Sequence, residues 1–165
     1  MSSTLRFIRL FTLGAWLGSI FYFTAITPGL FRLIPNPDQT GLVVEFALTR
    51  LHTLGVVAGL LFIFASAALA AVSPQRTSRI LIPAAGVAVM VILTAISQHV
   101  VVRRLAVLRQ EMGSVAATPA TNPLRAQFDR LHAISVDLEG AVFLIGFASL
   151  FFTVRRDARD EIALR

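Results

Sequence analysis

The chain has 165 residues, of which 56% are hydrophobic and 15% charged, and it contains no cysteine. This composition is typical of a membrane protein rather than a soluble domain, and it excludes disulfides, thiolate metal ligands and cysteine nucleophiles. The net charge of +6 comes from arginines spread over the ends of apolar stretches, not from a basic run interleaved with aromatics, so nucleic-acid binding is not expected.

Four apolar stretches dominate the chain: Leu10–Thr27, Leu51–Val72, Ile80–Val102 and Leu131–Thr153. Each is close to the roughly 20 residues that cross a hydrocarbon core of about 30 Å. In lipid the backbone must satisfy its own hydrogen bonds, so each stretch is predicted to be a helix. The sequence therefore predicts an all-α, multi-pass protein of the cell (inner) membrane, a single-domain up-down bundle of four transmembrane helices embedded in the lipid bilayer.

Capping signals and helix breakers predict where these helices begin and end. The first should end near Pro28-Gly29. Asn36-Pro37 and Asn122-Pro123 each combine an N-cap residue with a proline at the first helical position. The predicted helices cover residues 5–28, 37–73, 79–112 and 123–157.

An internal repeat gives the bundle a second level of organisation. Arg50-Leu51-His52-Thr53-Leu54-Gly55-Val56 is matched by Arg130-Leu131-His132-Ala133-Ile134-Ser135-Val136, and Thr24–Thr27 is matched by Thr94–Ser97. Such self-similarity predicts two tandem helix hairpins, related by a pseudo-two-fold axis along the membrane normal. This symmetry is expected to bring His52 onto His132 at equal depth.

Ionisable side chains mark a candidate site at one end of the bundle. Up-down threading places His52, His99 and His132 at the same face of the membrane. His132 and Glu139 share a stripe of the fourth helix with Ser135, whereas Asp137 points about 140° away from His132. A charged side chain at the helix centre costs about 2.5–3.5 kcal/mol or more, so Glu139 is expected to face the interior of the bundle, and Asp137 to find a different partner on the first or third helix.

These residues predict an outward-facing site for a divalent transition metal or haem, since imidazole suits Zn, Cu, Fe and Ni. A non-enzymatic role is favoured. One alternative is a haem-dependent membrane oxidoreductase with His52 and His132 as axial ligands. Another is a ligand-free structural subunit of a membrane complex. The sequence is also compatible with a homo-oligomer. The proposed ligands are His52, His132, Glu139 and His99, and the auxiliary residues are Asp137, Ser135 and Glu45.

Two pairs of glycines are predicted to pack helices closely. Gly14 and Gly18 form a small-xxx-small face on the first helix, and Gly55 and Gly59 form one on the second. Gly59 occupies the position in its helix that corresponds to Glu139 in the fourth. It is therefore expected to leave room for that carboxyl group.

Two segments resemble the transmembrane-protein-205-like family, a bacterial membrane domain without an assigned function. They are Gly14–Ser19, continuing through Pro28-Gly29-Leu30-Phe31, and Phe128–Ser135. The resemblance covers nearly the whole chain and implies four membrane helices. The family is itself similar, more distantly, to four-helix membrane proteins of the copper-resistance and haem-biosynthesis oxidase type. This similarity implies histidines within the bundle that bind metal or haem.

The chain departs from that family at two positions. The residue seven places after the histidine of the fourth helix is commonly Asn in the family, and here it is Glu139. Where the family tends to have a proline beyond the third helix, this chain has His99-Val100-Val101. Both differences add ionisable side chains to one end of the bundle.

Arginine density predicts the orientation in the membrane. Residues 1–9, 73–79 and 155–165 contain eight arginines in 27 positions, against seven in the 51 positions of 28–50 and 103–130. The positive-inside rule then puts both termini in the cytoplasm.

Alkaline phosphatase fused after Gly113 should be active, and the same enzyme fused after Arg165 should be inactive. Activity only in the Arg165 fusion would invert the topology.

Overall fold

The computed structural model describes residues 2–162, with side chains for all of these except residues 2, 76 and 156–162. It confirms the predicted all-α bundle of four helices long and apolar enough to cross a membrane. A short 3₁₀ turn, Pro74–Arg76, joins the second helix to the third, and the described residues contain no strand. The helices are α1 (Ser2–Leu33), α2 (Pro37–Ala71), α3 (Thr77–Met112) and α4 (Pro123–Ile162).

Helix α1 is longer than predicted. Pro28 lies inside it, and the helix continues to Leu33. Proline removes one backbone donor and usually breaks a helix in water. A membrane helix tolerates it, since neighbouring groups re-satisfy the backbone and lipid offers no competing hydrogen bonds. The predicted end near Pro28-Gly29 is therefore wrong.

Both predicted asparagine caps are present. The Asn36 side chain accepts hydrogen bonds from the backbone N–H groups of Asp38 at 3.0 Å and Gln39 at 3.2 Å. The Asn122 side chain accepts one from Leu124 N–H at 2.9 Å. These bonds satisfy donors that the first turn of a helix leaves unpaired, and they fix where α2 and α4 begin.

Consecutive helices are neighbours in the bundle, and α4 closes the ring by packing against α1. Within the described residues, α2 and α4 lie across a diagonal with no close backbone approach. Large apolar side chains cover the outside, as a lipid environment requires. Those more than 60% exposed are Phe7, Phe11, Phe21, Tyr22, Phe46, Leu54, Phe64, Val100, Leu144 and Phe147, together with Leu33 at the end of α1.

Helix α3 changes its pitch within the membrane-spanning region. Residues Thr77–Ile96 are α-helical, Ser97–Val102 form a π-helix, and Arg103–Met112 are α-helical again. A π-helix closes i→i+5 hydrogen bonds, and it is often found at functional sites. Here its wider turn directs two consecutive residues, Ser97 and Gln98, toward the interior of the bundle.

Trp16 of α1 occupies the space above the glycines of α2. A Cβ atom placed on Gly55 would lie 2.3 Å from the Trp16 indole nitrogen, and one on Gly59 would lie 2.5 Å from Val91 and 2.9 Å from Trp16. The predicted close packing at these two glycines is therefore seen. The space that they leave is filled by an indole ring, however, and the expectation that Gly59 makes room for Glu139 is wrong.

The glycines of α1 do not pack against the described bundle. A Cβ atom on Gly14 or Gly18 would meet nothing within 4 Å, because α1 turns its Leu13–Trp16–Leu17–Ile20 face inward instead. Among the described residues, Gly14 and Gly18 therefore do not bring two helices of this chain together, and their role in packing against another helix stays a prediction.

These two glycine pairs make a matched test. Gly55→Ala should destabilise the protein by about 1–3 kcal/mol, the typical effect of overpacking a filled interior. Gly18→Ala should cause no loss, because its Cβ atom enters open space and alanine favours a helix over glycine. Unfolding in mixed detergent micelles measures both changes. Equal effects of the two substitutions would show that Trp16 does not pack on Gly55.

Candidate functional site

His52 lies at the centre of a polar cluster built from three helices. Its side chain is 2% exposed. Its Nδ1 atom lies 2.8 Å from Oε1 of Gln98 on α3, and its Nε2 atom lies 3.1 Å from Oε2 of Glu139 on α4. The Gln98 amide nitrogen in turn reaches the Thr49 hydroxyl of α2 at 3.5 Å. Both ring nitrogens therefore have partners from different helices.

The Gln98 contact determines which ring nitrogen of His52 carries hydrogen. An amide oxygen only accepts hydrogen bonds, so Nδ1 must donate. Nε2 then faces the Glu139 carboxyl oxygen. A bare ring nitrogen and a carboxylate oxygen both present lone pairs, so a contact of 3.1 Å needs a positive charge between them, either a proton or a metal ion.

The cluster lies within the apolar part of the bundle. Glu139 is nine residues along α4 from Arg130, a rise of about 14 Å. It is 15% exposed. Because α2 and α4 are diagonal to each other, the imidazole and the carboxyl group meet across the middle of the bundle. The prediction that Glu139 faces the interior is confirmed.

The structure does not bring His132 to His52. Trp16 lies against Gly59 and its neighbour Leu17 against Gly146, so these two glycines have similar heights. Counting back seven residues from each gives His52 and Glu139, the pair that is in contact. His132 is a further seven residues back, which is two turns or about 10 Å. It is exposed, and its ring stacks on Phe128 at 6.3 Å.

The prediction of equal depth for the two repeat histidines is therefore wrong. The sequence repeat is offset from the packing of the helices by two turns, and this offset brings the carboxyl group of Glu139, rather than an imidazole, opposite His52. The haem arrangement with two axial histidines loses its geometric basis.

The remaining predicted residues lie outside the cluster, except that Ser135 is buried one turn from Glu139. His99, although adjacent to Gln98, is exposed. Asp137 is also exposed, and among the described residues it has no ion-pair or hydrogen-bond partner, contrary to the expected contact with α1 or α3. Glu45 pairs with Arg109 of α3 beyond the apolar region.

Thr49 and Gln98 of the cluster were missed from the sequence, as was Ser97, which precedes Gln98 in the π-helix. Gln98 was visible only as a polar amide within an apolar stretch. Ser97 is 1% exposed. Its hydroxyl oxygen has no hydrogen-bond partner in the described part of the chain. Buried polar atoms are nearly always paired, so an unpaired one calls for an explanation such as a bound water or ion.

The cluster has part of the chemistry of a metal site. Two adjacent ligands of a tetrahedral ion are about 3.3 Å apart when metal–N and metal–O bonds are about 2.0–2.2 Å long, close to the 3.1 Å between His52 and Glu139. Ligating histidines typically donate their other N–H to a carbonyl or carboxyl oxygen, as His52 does to Gln98. Among the described residues, however, no three His, Cys, Asp or Glu side chains converge.

The chain matches no family model, and no curated protein or solved structure is significantly similar to it.

Removing one partner of the buried pair should be costly. His52→Ala leaves the Glu139 carboxyl group without its partner and should destabilise the protein by about 3–5 kcal/mol. The matched controls His99→Ala and His132→Ala should change stability by no more than about 0.5 kcal/mol, because both side chains are exposed.

A double-mutant cycle tests the contact itself. His52→Ala and Glu139→Ala together should destabilise the protein by less than the sum of the single changes, since residues in contact are not additive. Unfolding in mixed micelles gives all four values. Additive effects would show that the two side chains do not interact.

Proposed function

We propose that this chain is a non-enzymatic integral membrane protein that binds one divalent transition-metal ion between His52 and Glu139. The observation that carries the proposal is the doubly held imidazole. Gln98 fixes the hydrogen on Nδ1 and so leaves the Nε2 lone pair directed at the Glu139 carboxyl group, 3.1 Å away. This is the arrangement in which a metal ion finds a nitrogen and an oxygen ligand already oriented.

The chemistry of the donors favours particular ions. Imidazole and carboxylate without thiolate suit Zn, Ni, Co or Cu(II) better than soft Cu(I). Haem is less well supported, because His52 and His132 differ in height by two turns and His132 is exposed.

A structural subunit is the second candidate, and two observations favour it. Asp137 is exposed within the apolar span, where a carboxylate facing lipid is costly. Gly18 likewise leaves the outside of α1 open. A second copy or another membrane protein covering these positions would remove that cost.

We further propose that the chain is a member of the transmembrane-protein-205-like family, which the motifs at Gly14–Ser19 and Phe128–Ser135 support. It resides in the cell membrane with both termini in the cytoplasm, supported by arginine density. In that orientation the 113–122 loop faces outward.

The metal is best tested in a protein whose only histidine is His52. The His99→Ala/His132→Ala variant removes the two exposed imidazoles, which would otherwise bind Cu²⁺ adventitiously. Purified in detergent, it should bind one equivalent of Cu²⁺ and show the electron paramagnetic resonance splitting of a single imidazole nitrogen. Adding Glu139→Gln should weaken binding by at least about 10-fold, the lower end of the effect of losing even an outer-shell partner. Adding His52→Ala should abolish binding.

Each other outcome contradicts the proposal in a different way. A Soret band in the protein as purified would identify haem. Equal Cu²⁺ binding with and without His52 would show an adventitious site elsewhere. No metal and no Soret band would leave a proton between Nε2 and the carboxyl group and favour the structural subunit.

A further inference from the structure

We propose that the Ser97 hydroxyl is a third ligand of the cation that His52 and Glu139 bind. This inference rests on the proposed function and adds a residue to it. Ser97 is a buried polar side chain of the π-helix, and it precedes the partly buried Gln98. Gln98 holds the far side of the imidazole, on Nδ1, so it is not placed to contact an ion at Nε2.

The packing of α3 against α4 places Ser97 at the height of Glu139. A Cβ atom on Gly86 would meet Ser149, and one on Gly146 would meet Met90. The two helices therefore run antiparallel with Met90 opposite Gly146. Seven residues further along α3 is Ser97, and seven residues back along α4 is Glu139.

The state of the Ser97 hydroxyl points to a ligand. It is buried, and it has no hydrogen-bond partner in the described residues, unlike the buried hydroxyl of Ser66, which donates to Phe62 O at 2.8 Å. Serine in a helix usually bonds back to a carbonyl one turn earlier. Ser97 does not, although a buried unpaired hydroxyl carries a free-energy penalty. A cation between His52 and Glu139 would give its oxygen a partner.

A cysteine at this position gives a direct readout. The chain has no cysteine, so in Ser97→Cys the new side chain is the only thiolate available, and a thiolate is a good ligand for Co²⁺. The probe is Co²⁺ added to the detergent-purified His99→Ala/His132→Ala protein. Ser97→Cys should produce the near-ultraviolet thiolate-to-cobalt charge-transfer band, and Ser66→Cys, equally buried, should not. The band should disappear when His52→Ala is added.

Affinity and stability separate a ligand from a packing residue. Ser97→Ala should weaken Co²⁺ binding by about 10-fold or more, as loss of a ligand costs at least as much as loss of an outer-shell partner. The thermal midpoint of the metal-free protein should be unchanged or higher, because an unpaired hydroxyl is removed. Ser66→Ala should leave Co²⁺ affinity unchanged.

The outcomes distinguish this inference from the proposed function. If the parent protein binds Co²⁺ through His52 but Ser97→Cys gives no band and Ser97→Ala binds equally well, the Ser97 ligand is overturned and the metal site stands. If the parent protein binds no Co²⁺, the metal site itself is overturned, and the Ser97 ligand with it. A lower thermal midpoint in metal-free Ser97→Ala with unchanged affinity would make Ser97 a packing residue.

Discussion

A buried imidazole has two ring nitrogens, and an interior without water must satisfy both. In this bundle the two partners of His52 come from different helices, Gln98 from α3 and Glu139 from α4. The requirement therefore sets the rotation of three helices about their axes at once. Hydrophobic packing alone does not do this in lipid, since acyl chains are as apolar as leucine side chains. The polar cluster specifies an arrangement that apolar contacts leave loosely defined.

The general fold follows from the sequence because the bilayer restricts the possibilities. Length and apolarity predict four helices, and Asn36 and Asn122 correctly predict where two of them begin. The end of α1 could not be predicted in the same way. Pro28 is a helix breaker by the rules of aqueous proteins, whereas membrane helices tolerate proline, and α1 continues to Leu33.

The site could be predicted in part. The cost of a charge in lipid correctly placed Glu139 inside, and His52 is its partner. The repeat then suggested His132 as a second imidazole, but similarity of sequence does not fix the height at which two segments pack. The role of Gln98 depends on a π-helix that has no recognised sequence pattern. Gly55 and Gly59 were correctly seen as points of close approach, although nothing local indicated that Trp16 fills them.

The π-helix has a consequence for how this chain compares with others of the same architecture. Ser97–Val102 contains, in effect, one residue more than a regular α-helix would use over the same rise. A homologous chain lacking one residue here would keep the N-terminal half of α3 in place and turn the C-terminal half by about 100°. The contacts of that half, Arg104 with Gln127 and Arg109 with Glu45, would then be lost together. The π-helix thus divides α3 into two segments whose rotations about the helix axis are set separately.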